Sequence, residues 1–513
     1  MHEARFALGL VVVLLAGAVT RAEAAPVLTL TYQPTKVFFF TWTSEPGANH
    51  YKLLEDPTGS SGFTQVGFSI AAPSISAQHI VPLYRRINAR YLVQACNFEG
   101  CIDSNVVTVS GTLAQSIGYF KASNPANGDE FGRGVALSSD GTTLVVGARF
   151  EDSAATGVNG DQTNNSAQAS GAVYVFVRTG SGATWLQQAY IKASNTNVAD
   201  HFGRELALSA NGSTLAVGAD REDGGNAPFS GAVYVYVRVG SAWEQQAYIK
   251  ASNAGSSDAF GSAVALSGDG RTLAVGATGE DSSAVGVDGN QANNSASNSG
   301  AAYVFVRSGS AWSQQAYIKA SNTGAADSFG VALDLSNDGS LLAVSASGED
   351  SSAAGIDGDQ LDNSAIDAGA VYVYERLAGS LWTQQAYIKG ANTEASDVFG
   401  GAVALSNDGA TLAVGAFGED SNAVGINGNP ANNSMTGAGA AYVFVKNNGV
   451  WGQVSYVKAS NTAATATFGR NLALAGNAGT LAVGSTAETG NSSGINGPQV
   501  TPPLPFAGAV YVY

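Results

Sequence analysis

Four stretches of this chain gather oxygen ligands at matching positions. In one, Glu280-Asp281 precedes Asp288-Gly289-Asn290; in another, Glu349-Asp350 precedes Asp357-Gly358-Asp359. Glu151, Asp152, Asn159 and Asp161 form a third set, and Glu419, Asp420, Asn427 and Asn429 a fourth. Carboxylates and amides spaced two apart around a glycine can wrap a hard cation, and calcium takes roughly six to eight such oxygens. Glu280, Asp281, Asp288, Asn290, Glu349, Asp350, Asp357 and Asp359 are therefore the candidate calcium ligands. The competing reading is turn chemistry, because Asp, Asn and Gly favour tight loops whatever they bind. The spacing lacks the full regular calcium signature, which favours turns, and both readings stay open at this point.

Other chemistry is sparse. His201 is the only histidine after residue 79, and no serine or cysteine pairs with it in a recognisable nucleophile–base pattern. Carboxylate pairs could hydrolyse or eliminate across glycosidic bonds. However, Glu-Asp recurs in one register, and repetition speaks for structure, whereas an active site should break the symmetry. A non-enzymatic protein is expected, with no catalytic residue and no cofactor assigned; a secreted polysaccharide hydrolase or lyase is the alternative.

The elements that carry these residues repeat. Phe131-Gly132, Phe202-Gly203, Phe260-Gly261, Phe329-Gly330, Phe399-Gly400 and Phe468-Gly469 each open the same sequence, at spacings of 71, 58, 69, 70 and 69. Each repeat supplies four strand-like runs, in the first case FGRGVAL, TLVVGA, GAVYVFVR and WLQQAYIKAS. Asp-Gly pairs such as Asp140-Gly141 are tight-turn signals between the first two runs. Short strands at a long fixed period point to an all-β fold, a β-propeller with one blade per repeat. Six repeats predict six blades over 115–513. The array starts with a fourth-strand sequence, IGYFKASN, and its last run is a third-strand sequence, GAVYVY. Closure by a strand at 117–123, with Tyr119 to Ser123 beside Ala509 to Tyr513, would hide two open sheet edges.

The remainder reads as accessory. Residues 1–24 have the positive start, apolar stretch and Ala22-Glu23-Ala24 site of a secretory signal peptide removed near Ala24. Residues 26–111 alternate in strand fashion and predict a small β-sandwich. Cys96 and Cys101 are the only cysteines, and in an exported protein they are expected to form a disulfide. The net charge of −16 argues against nucleic acid and anionic lipid as partners. No stretch after the signal is long and apolar enough to span a bilayer, and a secreted or cell-surface monomer is expected.

The pattern Phe-Gly-x-x-Val-Ala-Leu-Ser-x-Asp-Gly-x-Thr-Leu-Ala-Val-Gly-Ala resembles the FG-GAP repeat, the blade unit of integrin alpha-subunit heads and of bacterial surface proteins. The resemblance implies a propeller, extracellular placement and binding, commonly in adhesion, of a protein or glycan. One departure matters: the family's calcium loop between first and second strands is here only Leu137-Ser138-Ser139-Asp140-Gly141-Thr142, with one carboxylate. The long connections instead join the fourth strand to the next first strand and the second to the third. Strand alternation puts both on one face, which becomes the candidate binding face. The run Tyr91-x-Val93-x-Ala95-Cys96-Asn97 resembles the late strand of fibronectin type III modules of bacterial secreted proteins.

Overall fold

The computed structural model describes residues 25–34, 36–110, 113, 115, 119–178, 184–224, 227–378, 380–490 and 508–513. The expected signal peptide lies outside them. The chain divides into two compact units, Met1–Tyr119 and Phe120–Tyr513. No helix among the described residues is long and apolar enough to cross a membrane.

The first unit holds two antiparallel sheets. Leu28–Gln33, Val37–Trp42 and Ser76–Ile80 form one, and the other is centred on His50–Asp56 and Arg90–Cys96. Alternating side chains from both, including Phe38, Phe40, Trp42, Tyr51, Leu53 and Tyr91, fill one shared core, as period-two patterning requires. At its margin Glu55 takes a two-pronged hydrogen bond from Arg86, at 2.7 and 3.2 Å, and a third from the Tyr91 hydroxyl at 2.6 Å. Cys96 and Cys101 are joined in a disulfide across neighbouring strands.

The second unit is a row of repeated antiparallel sheets resembling a β-propeller. Five have four strands in sequence order, and the sixth has three: Phe468–Leu474, Leu481–Ser485 and Ala509–Val512. In the third sheet, Phe260–Leu266, Thr272–Ala277, Ala301–Ser308 and Ala311–Ile318 follow one another. The second and third strands are buried almost throughout, which is why TLAVGA and AAYVFV read as continuous apolar runs.

Small residues on one sheet face meet large ones on the next. Ala263, Ala265, Ala274 and Ala302 of the third sheet share a core with Phe329, Leu333, Tyr372, Tyr374 and Trp382 of the fourth. The Phe-Gly glycine makes this approach feasible. Gly330 has φ +91°, and a Cβ on it would stand 2.5 Å from the Ala301 carbonyl oxygen of the preceding sheet. A Cβ on Gly276 would lie 2.0 Å from the Gly330 oxygen. Phe329 meanwhile packs edge-on against Tyr372 at 5.4 Å, a favoured aromatic geometry.

The turns between first and second strands are linked from sheet to sheet. The amide of Ser139 donates to the Ala210 carbonyl, Ala210 to Gly268, Gly268 to Asn337, Asn337 to Asn407, and Asn407 to Gly476. Residues in or just before the first strands of all six repeats line one central cavity of about 390 Å³.

The outer strand expected at 117–123 departs from the reading above. Residues 117 and 118 lie outside the described set, and 119–123 belong to no strand. Among the described residues the sixth sheet has three strands, and a Cβ on Gly484 would meet only Asn471 of its own sheet. Residues 120–124 are held by the first sheet instead. Phe120 contacts Phe176 and Trp185 at 5.3 and 5.5 Å.

Candidate binding face

The acidic residue that opens each long loop is buried inside the fold. Glu280 is 1% exposed, and its two oxygens take four hydrogen bonds. Oε1 accepts from Asn253 Nδ2 and the Tyr317 hydroxyl, both at 2.8 Å; Oε2 accepts from Lys319 Nζ at 2.8 Å and the Ser282 amide at 3.1 Å. Lys319 is fully buried and also donates to Ser299 Oγ at 2.7 Å. Tyr303 donates to the Asn253 oxygen at 2.6 Å. Every polar atom of the cluster has a partner, which is the condition for tolerating charge in an apolar core.

The cluster recurs. Glu151 meets Asn124, Tyr190 and Lys192; Glu349 meets Asn322, Tyr387 and Lys389; Glu419 meets Asn392, Tyr456 and Lys458. Glu222 repeats it with Asn195, Tyr248 and Lys250. Glu488 of the sixth sheet keeps the asparagine, Asn461, at 2.8 Å. Burial pushes the Lys192, Lys319, Lys389 and Lys458 ammonium groups down from their ordinary range, against the pull of their glutamates. It pushes the tyrosine hydroxyls up and keeps them protonated as donors.

The other candidate ligands are fastened to backbone. Asp281 and Asp350 accept the amides of Asn298 and Asp367 at 2.8 and 2.9 Å. Asp288 and Asp357, with φ of 55° and 53°, accept the amides of Tyr317 and Tyr387 at 2.9 Å. Asn159 and Asn427 do the same for Tyr190 and Tyr456. Asn290 and Asp359 each close a turn on the amide two residues on, at 3.0 Å. Asp and Asn thus exchange freely in one role, a role that uses a single acceptor oxygen and a left-handed backbone both residues tolerate. Among the described residues no three His, Cys, Asp or Glu side chains are grouped to hold a metal ion.

The sequence reading did not foresee the lysine. A signal was present: Lys192, Lys250, Lys319, Lys389 and Lys458 stand at one position of an otherwise apolar strand end, in a chain with only 24 Lys and Arg. A charge fixed in register inside an apolar run asks for a buried partner.

A second set of carboxylates lies just before the Phe-Gly pairs. Asp200, Asp258, Asp327 and Asp397 each accept an amide three residues back, at 2.6 to 2.9 Å. Burial, aided by the neighbouring glutamate, pushes Asp258 up to about 6 and Asp200, Asp327 and Asp397 up to about 7.

With the loop bases anchored inside, the loop tips are free to face outward. Val285, Leu361, Ile366 and Val424 are 57, 85, 65 and 57% exposed, all on second-to-third connections. The central cavity carries arginines from three repeats, Arg133, Arg204 and Arg470. Arg204 pairs with Asp220, and Arg470 lies over the Phe417 ring at 4.5 Å.

A family model described as FG-GAP repeat matches residues 118–176, 185–236, 243–305 and 382–444. The repeats opened by Phe329 and Phe468 fall outside those matches, yet the former builds the same four-stranded sheet and buried cluster. No curated protein matches the chain. Among solved structures, the periplasmic gluconolactonase of Pseudomonas aeruginosa is 15% identical, with 81% of this chain and 98% of that one covered and a TM-score of 0.37. A GH74 enzyme of Niastella koreensis is 15% identical over 90% of this chain and 62% of its own, at a TM-score of 0.28. Pectate lyase PelI of Erwinia chrysanthemi is 17% identical over 17% of this chain, at a TM-score of 0.14, and the match spans 27% of that enzyme. At such distances their activities say nothing about this chain.

Proposed function

From a chain that carries four FG-GAP repeats, we infer an exported, non-enzymatic binding protein that engages an extracellular protein or glycan through its long-loop face. In this reading the signal peptide is removed near Ala24, residues 26–111 form a fibronectin type III-like sandwich that spaces the binding unit, and residues 115–513 are a six-bladed propeller of the integrin alpha-like kind. The supporting observation is the division of labour in the long loops. Their acidic bases are locked inside by Glu–Lys clusters, while apolar side chains such as Leu361 and Val424 stand exposed at one end of a rigid scaffold. Exposed apolar groups held by a rigid frame suit recognition, since little conformational entropy is lost on docking.

The mature protein should be screened against glycan and extracellular-protein arrays, with Leu361→Ser/Val424→Ser alongside. The reading expects at least one ligand whose Kd rises about tenfold in the variant with no change in melting temperature. Ligand binding indifferent to the variant would move the site elsewhere. Turnover of a polysaccharide, abolished by a single Asp or Glu substitution, would replace binding by hydrolysis or elimination.

A further inference from the structure

Three arginines line one cavity in a chain whose net charge is −16, and we propose that this central cavity binds the oxyanion of a small molecule, a carboxylate or a tetrahedral sulfate or phosphate. The site is separate from the exposed loop tips and does not rest on the ligand they would take.

The arginines stand where the repeats differ. The residue after Phe-Gly is Arg133, Arg204, Ser262, Val331, Gly401 and Arg470 in chain order. The buried Glu–Lys clusters recur because they hold every long loop in the same way. The position after Phe-Gly has no such common duty, and its charge is confined to particular repeats, as a ligand site would require. Against the three arginines the lining carries one carboxylate, Glu205, so positive charge is in excess. Val331, Leu333 and Val403 are among the remaining lining residues. Apolar walls of this kind focus the field of the charges between them. The volume of about 390 Å³ lies in the usual range of small-molecule sites, about 300–1,000 Å³.

Each arginine is held in place by a neighbour. Arg204 pairs with Asp220, which is buried, and Arg133 lies 3.4 Å from Glu205. Arg470 has a ring instead: its guanidinium sits over Phe417 at 4.5 Å. Phe417 stands where the other sheets have Arg149, Asp220, Thr278, Ser347 and Thr486. Its ring takes the space above Gly401, where a Cβ would come within 2.6 Å of it. Gly401, Phe417 and Arg470 are therefore three departures from the repeat that depend on one another. Among the described residues no carboxylate pairs with Arg470, and its guanidinium donates no hydrogen bond. A stacked guanidinium keeps its N–H donors, in a fork that matches carboxylate, sulfate and phosphate oxygens. Arg470 thus supplies the uncompensated charge, and Arg133 and Arg204 supply further donors whose own charges are already balanced.

The test is isothermal titration calorimetry of the full chain with sodium sulfate, sodium phosphate and sodium succinate, each in chloride buffer at constant ionic strength. Saturable uptake of one anion per chain is expected for at least one of the three. Sulfate or phosphate alone would assign a tetrahedral oxyanion, and succinate alone a carboxylate. Arg470 is exposed, so Arg470→Gln should leave the melting temperature unchanged while raising Kd about tenfold or more, the loss of one charge-assisted bond. Arg204→Gln/Asp220→Asn should also raise Kd, and it leaves no buried carboxylate without its partner. Arg271→Gln, on a first-to-second turn, should leave Kd unchanged. Heats no larger than those of added chloride for all three anions would overturn the proposal, as would one Kd shared by the native chain, Arg470→Gln and Arg204→Gln/Asp220→Asn. Leu361→Ser/Val424→Ser should take up the anion with unchanged Kd; loss of uptake there would move the site to the loops and overturn the assignment to the cavity. Loop-face ligand binding that persists in Arg470→Gln would separate failure of the cavity site from failure of the binding face.

Discussion

Replacing Lys319 by methionine tests whether the acidic loops are braced from within. Glu280 and Lys319 are 1 and 0% exposed and meet at 2.8 Å. Methionine fills much of the same volume but removes the charge, leaving a carboxylate inside the sheet with three neutral donors, Asn253, Tyr317 and the Ser282 amide. Breaking a buried pair from one side costs about 3–5 kcal/mol, and the three remaining donors put this case near about 3 kcal/mol. Glu280→Gln/Lys319→Met removes both charges and should cost less than the sum of the single changes, by about 1–3 kcal/mol of coupling. The assay is urea unfolding followed by circular dichroism and by tryptophan fluorescence, so that partial unfolding of the array shows as non-coincident transitions. A Lys319→Met cost under about 0.5 kcal/mol, the ordinary surface value, would refute the buried pair and return Glu280 to the pool of free loop carboxylates.

Other outcomes follow from the same geometry. Calcium and chelator should give the same melting temperature for the native protein, because both oxygens of Glu280 and Glu349 and one oxygen each of Asp288 and Asp357 already accept hydrogen bonds within the fold; a calcium-dependent rise lost in Asp288→Asn would contradict this. Asp200, Asp258, Asp327 and Asp397 have folded pKa values raised from 3.8 to about 6 or 7. A raised value means the fold binds the proton more tightly, so their contribution is present below about pH 4 and is lost as pH rises through about 6–7. The melting temperature should therefore fall between about pH 4 and 7, and asparagine at all four positions should flatten that slope. Gly276→Ala, whose Cβ would stand 2.0 Å from the Gly330 oxygen, should cost about 2 kcal/mol or more in thermal or urea unfolding, whereas Gly452→Ala, with nothing within 4 Å, should be nearly neutral.

Much of this fold was legible before any coordinates. The Phe-Gly period marked the sheets because both residues answer one constraint: a bare backbone where sheets touch and a ring wedged beside it. Continuous apolar runs such as AAYVFV disclosed buried strands, and Cys96 with Cys101 disclosed the disulfide. The loops were less readable. Asp288 and Glu280 look alike as ligands in sequence, yet one caps a tyrosine amide and the other is neutralised by a lysine just past the outer strand Ala311–Ile318. The two relations span 29 and 39 residues, so local spacing carries neither and only the folded sheet carries both. The outer strand at 117–123 was inferred from repeat arithmetic, while its formation depends on contact between sheets at opposite ends of the chain.

The asparagine in each buried cluster has a consequence for how such an array can be cut or lengthened. Asn253 follows the outer strand of the second sheet, yet it completes the cluster of Glu280 in the third. The module that keeps its electrostatics whole therefore runs from one asparagine to the next lysine, as from Asn253 to Lys319, and straddles the sheet boundary. A duplication or deletion framed on complete sheets would strand an asparagine at one end and orphan a glutamate at the other. One framed from Asn253 to Lys319 would add or remove a self-neutralised piece, so the array's natural unit of growth is offset from its visible unit of architecture.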